Sequence, residues 1–89
     1  MLKGQIVYLL VIDWVNDGED GVTPRIFEKL EDARAFMKEA YETDLKNYLN
    51  RWEEQDIDCA FGPMNAYMNP RERYSEYHVN YVIQEQTIL

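Results

Sequence analysis

The segment Gln5-Ile6-Val7-Tyr8-Leu9-Leu10-Val11-Ile12-Asp13-Trp14-Val15 decides how the rest of the chain is read. From Ile6 to Ile12 every position is apolar, so both alternating sets of a strand are hydrophobic, and the β-branched and aromatic content disfavours a helix. Such a strand is expected to be central and covered on both faces. One face can take a helix. The other requires a second layer, drawn from a later segment or from another subunit.

Working outward, Asn16-Asp17-Gly18-Glu19-Asp20-Gly21 is a turn cluster whose Asn, Asp and Gly residues tolerate positive φ, and a second strand is expected from Val22 to Phe27. Pro24 lacks a ladder donor, which assigns this strand to an edge or turns Pro24 outward. Leu30, Ala33, Met37, Ala40, Tyr41, Leu45, Tyr48, Leu49 and Trp52 then recur at spacings of three and four, the stripe of one amphipathic helix. Run from Leu30 to Glu54, that helix would be about 37 Å long and would overhang a short strand. Glu31 and Asp32 suit its first turn, and Glu42 with Lys46 forms an i,i+4 pair.

Residues 56–73 follow neither period and contain the breaker pairs Gly62-Pro63 and Asn69-Pro70, so a long irregular connection is expected there. It carries Phe61, Met64, Tyr67 and Met68, adaptable apolar side chains suited either to a partner surface or to covering the first strand. Tyr77, Val79, Tyr81 and Ile83 alternate with His78, Asn80, Val82 and Gln84, which predicts a half-exposed strand pairing with the first. The expected architecture is α+β over residues 1–89 as a single domain. It has a three-stranded antiparallel sheet, built from the β-hairpin and the C-terminal strand, with the long helix packed on one face.

Val7 to Trp14, the turn, Ile26-Phe27, Leu30-Glu31-Asp32-Ala33 opening a helix, and Tyr81 to Glu85 together resemble the ββαβ plan of many small uncharacterised bacterial and phage-encoded proteins. The resemblance covers about half of the chain and implies a fold but no activity. In that plan Ser, Thr or Asp caps the helix, whereas Lys29 stands at the cap here.

Seventeen acidic residues against nine Lys and Arg give a net charge of −8 over 89 residues. Direct binding to nucleic acid or to anionic membrane is disfavoured by that sign, while a basic protein surface is compatible with it. A chain this small buries only roughly 60–65% of its unfolded surface, so self-association would help to stabilise it. The apolar run Ile6–Ile12 is too short to span a membrane and no small-residue cleavage site follows it, which fits a cytoplasmic protein.

No catalytic, cofactor-binding or metal-binding residues are indicated. His78 is the only histidine and Cys59 the only cysteine, so neither belongs to a ligand or nucleophile motif, and Asp56 and Asp58 would oppose a thiolate at Cys59. Cys59 is expected as a small buried hydrophobe and His78 as a solvent-facing strand residue. Asp13, Asp17, Glu19 and Asp20 do not follow the spacing of a calcium loop. Neither a dinucleotide fingerprint nor a phosphate loop is present.

The reading that follows is a small acidic interaction or accessory protein without catalysis, acting through a protein partner or as a homodimer, with Trp52, Phe61, Met64, Tyr67 and Met68 as its candidate surface. An alternative is an acidic inhibitor of a nucleic-acid enzyme, of the kind mobile elements encode. A third is a small-molecule-binding domain or weak enzyme with a pocket lined by Tyr41, Tyr48, Tyr67 and Tyr81.

Overall fold

The computed structural model describes residues 3–71 and 76–89. Its elements are β1 (Ile6–Asn16), β2 (Glu19–Phe27), α1 (Leu30–Leu49), one 3-10 turn (Glu54–Asp56), β3 (Ile57–Phe61), β4 (Asn65–Pro70) and β5 (Tyr77–Thr87). The fold is α+β with one long helix and an antiparallel sheet. The sheet has five strands in the order β2-β1-β5-β4-β3, not the three the sequence predicts.

The two additional strands come from the segment expected to be irregular. Gly62-Pro63 is the turn of a hairpin instead of a break in structure: the Gly62 N–H donates to the Asn65 carbonyl at 2.8 Å, and Ile57–Phe61 pairs with Ala66–Pro70 across it. Ile57 in β3, and Ala66, Met68 and Pro70 in β4, are all buried, so β4 carries a period of two, but one written with an alanine and a proline among its three positions. Residues 72 and 73 of that predicted connection lie outside the described residues.

The first hairpin is tighter than expected. Asn16 pairs with Glu19, leaving Asp17 and Gly18 as the turn with φ of 51° and 86°, the positive pair that a two-residue hairpin turn requires. Strand β2 therefore starts at Glu19 and not at Val22. It lies at the sheet edge, and Pro24 is exposed there.

The helix is also shorter than its periodicity suggests. It stops at Leu49, a span of about 30 Å for 20 residues. Beyond Asn50 the chain folds back, with the N–H groups of Arg51 and Trp52 both donating to the Tyr48 carbonyl at 2.9 Å. Trp52 thereby meets Tyr48, its neighbour on the predicted stripe, without being helical. At the other end Lys29 supplies no side-chain cap, as its identity implies.

Register divides the sheet into two faces. Leu10 pairs with Ile83, Ile12 with Tyr81 and Trp14 with Val79, and Ala66 and Met68 continue that side on β4. These residues join Ala33, Met37 and Tyr48 of α1 in one buried cluster, with Leu10, Met37, Met68 and Tyr81 fully enclosed. We call this the core face. The opposite set on β1 is Val7, Leu9, Val11, Asp13 and Val15. Val7 is buried, near the end where the Gly4 N–H donates to the Ile88 carbonyl, but Leu9, Val11 and Val15 are only half-buried. Strand β1 is thus interior, flanked by β2 and β5, but it is not enclosed on both sides, and the middle of the sheet belongs to β5.

Candidate functional site

Two regions of the molecule stand out. The first is the open face. Leu9 pairs with Ile26, Val11 with Pro24 on one side and with Val82 on the other, and Asp13 with Val22. Because paired residues project to the same side of a sheet, Leu9, Val11, Val22, Pro24, Ile26 and Val82 share one face across β2, β1 and β5, with the exposed Asp13 carboxylate beside Val22. Val22 is 62% exposed, Ile26 55% and Val82 39%. Isolated exposed hydrophobes are ordinary, whereas an adjoining set in register calls for an explanation. Asp13 and Asp20 lie toward one end of the set.

The second region is a cleft of about 870 Å³ on the core face, between the C-terminal half of α1 and the ends of β1 and β5. Trp14, Phe36, Tyr48, Trp52 and Tyr77 are among its walls. Gly21 is what lets Trp14 lie flat. A Cβ at Gly21 would stand 2.5 Å from the Trp14 ring, so glycine is required opposite this indole and not for the turn. Trp52 packs at 5.2 Å from the Tyr48 ring and 5.1 Å from the Tyr77 ring, and Arg51 lies over the Tyr77 ring while donating to its hydroxyl at 2.8 Å.

Asp44 and Tyr48 are the polar groups that matter in the cleft. The Tyr81 hydroxyl donates to the Asp44 carboxylate across the helix–sheet junction. Burial holds the Asp44 pKa above the usual carboxylate range, against the opposing effect of that hydrogen bond. Tyr48 is 8% exposed, and its buried hydroxyl has no hydrogen-bond partner among the described residues. Burial, with the nearby Asp44 charge and Tyr77, pushes its pKa up to about 12.

Compared with family models, with curated proteins and with solved structures, this chain matches none. Function must therefore be read from these two regions.

The residues singled out from sequence are scattered. Trp52 lines the cleft, Phe61 is exposed and stacks edge-on to Tyr41 at 5.1 Å, and Met64 is half-buried with its sulfur 3.9 Å from Arg34 Nη2. Tyr67 is exposed on the open-face side of β4, where its hydroxyl donates to Asp58 at 3.4 Å. Met68 is fully buried and offers no surface at all. Of the four tyrosines named for a pocket, only Tyr48 lines the cleft; Tyr81 reaches it through Asp44, and Tyr41 sits beyond Tyr81 at 5.9 Å between ring centres. Burial, aided by a hydrogen bond with Cys59, pushes the Tyr41 pKa up to about 12.

Cys59 is exposed, contrary to expectation, because β3 is the outermost strand on its side of the sheet. His78 is half-buried, paired with Val15. Among the described residues no group of three or more His, Cys, Asp or Glu side chains could hold a metal ion, and no helix is long and apolar enough to cross a membrane.

Sequence reasoning missed Asp44, Trp14 and the exposed set Val22, Ile26 and Val82. Asp44 had a signal: it falls between Tyr41 and Tyr48 at spacings of three and four, a carboxylate inside an apolar stripe. The alternation Val22, Pro24, Ile26 was equally readable once β2 was placed at an edge.

Proposed function

We propose that this protein is a small, non-catalytic interaction module that assembles as a homodimer through the open face of its sheet, with α1 packed on the core face. Each half of the sheet is then covered once, by the helix within the chain and by a second copy outside it. The observation that carries this reading is the in-register apolar surface of Leu9, Val11, Val22, Pro24, Ile26 and Val82.

The amount of surface supports a second copy as the occupant. A monomer of 10.7 kDa is expected to expose about 5,500 Å². This chain exposes 6321 Å², more than that expectation. Its radius of gyration, 14.6 Å, likewise exceeds the roughly 12 Å expected at this length. Two-fold pairing also suits the surface, because an isologous interface needs one self-complementary patch, and the aliphatic residues of β2 and β1 supply one, with Asp13 at its border. Cations are absent from the patch, which disfavours an acidic partner; a charge of −8 on each copy opposes association at long range and is screened by salt.

Sedimentation equilibrium tests the proposal. Wild type should be dimeric at micromolar concentration, and Ile26→Asp should be monomeric under the same conditions while keeping its circular dichroism. A wild-type protein that remains monomeric up to about 1 mM would refute it, since a millimolar Kd corresponds to only about −4 kcal/mol.

A further inference from the structure

The cleft on the core face is a binding site that self-association through the open face would not use. We propose that it takes a small organic cation, a protonated amine carried on an apolar or aromatic body, with the ammonium at Asp44 and the body against Trp14 and Trp52.

Four observations converge on this ligand class. The cavity, about 870 Å³, lies within the range of small-molecule sites. Five aromatic side chains are among its walls, and ring faces attract cations as well as apolar groups. A half-buried carboxylate, Asp44, supplies the counter-charge, and its one described hydrogen bond, from Tyr81, leaves acceptor capacity on the carboxylate for a second donor. The fourth is that Tyr48, a wall of the same cleft, has its hydroxyl enclosed and makes no hydrogen bond with it among the described residues, so it does not compete for the Asp44 carboxylate.

The sign of the ligand follows from the charges around the cleft. Glu39 and Asp44 oppose a single cation, Arg51, whose guanidinium is already engaged with the Tyr77 hydroxyl and ring. An anionic ligand would face two carboxylates and a net charge of −8 on the chain. A neutral ligand could fill the volume but would forgo the charge-assisted hydrogen bond to Asp44.

Both tryptophans of the chain line the cleft, so intrinsic fluorescence reads it directly. Titrating the intact protein with phenethylamine should change that fluorescence saturably, and 2-phenylethanol, its neutral isostere, should bind at least about tenfold more weakly. Asp44→Asn retains an oxygen for Tyr81 and should lower the amine affinity about tenfold while leaving the alcohol unchanged. Ile26→Asp, on the opposite face, should bind the amine as wild type does. Equal affinity for amine and alcohol would overturn the proposal, as would full amine affinity in Asp44→Asn. So would an absence of any amine response up to about 10 mM, beyond the range in which even a millimolar site saturates.

Discussion

Leu9 and Leu10 are adjacent, chemically identical and on the same strand, yet Leu10 is completely enclosed and Leu9 is half-buried. Their difference lies in what faces them. Leu10 belongs to the buried cluster that includes Ala33, Met37 and Tyr48 of α1, whereas Leu9 projects from a sheet face with no second layer among the described residues. A hydrophobic pattern states which side chains gain from leaving water; the tertiary structure decides whether the covering comes from the same chain.

The largest effect should separate the two leucines. Leu10→Ala should destabilise the fold by about 2–5 kcal/mol in denaturant unfolding, the cost of a cavity in an enclosed core. In dilute solution Leu9→Ala should cost less than about 1 kcal/mol, because a half-exposed side chain has less transfer energy to lose. Equal losses would mean that the open face is covered within the chain, and the comparison would collapse.

Next comes the open face itself. Ile26→Asp should weaken association by about 2 kcal/mol or more, roughly 30-fold in Kd, by placing a charge in the apolar centre of the interface. Dilute unfolding should move by no more than about 0.5 kcal/mol, as for other exposed positions.

On the core face, Tyr48→Phe should be unusual in raising stability, by about 1 kcal/mol, because it removes a buried hydroxyl that has no described partner. A loss of that size in thermal or denaturant unfolding would mean that the hydroxyl is satisfied. The same face sets the alkaline limit. Tyr41 and Tyr48 are pushed up to about 12, and Tyr81 is raised further by burial and by Asp44. Unfolded tyrosines lose their protons near pH 10, so the stability these groups contribute is complete below about pH 10 and is lost as pH rises through about 12. Unfolding midpoints measured between pH 9 and pH 12 should fall over that window, and a flat profile would contradict burial of the phenols.

The two faces were also unequally legible. The apolar run of β1, the hairpin turn, the helical stripe and the alternation of β5 could each be read locally, because each repeats the period of its element. The β3–β4 hairpin could not. Ile57, Cys59 and Phe61 alternate toward one side, but Asp58, Ala60, Asn65 and Ala66 are weak strand formers, and Gly62-Pro63 and Pro70 carry the marks of a loop. Trp52 extended the helical stripe by one turn too many, since its contact with Tyr48 mimics an i,i+4 spacing across a helix that has already ended. The cleft was visible only as an anomaly, Asp44 within an apolar stripe. Its other walls come from β1 and from Tyr77 on β5, which no local pattern brings together.

The division between an internally covered and an externally covered face is tested most directly by the thermal midpoint of wild type as a function of protein concentration. If a second copy covers the open face, the midpoint should rise by about 3–5 °C for each tenfold increase between about 1 and 100 µM. Ile26→Asp should show no such rise. A wild-type midpoint that stays constant across that range would mean that the chain is stable with its open face in water, and would contradict the account.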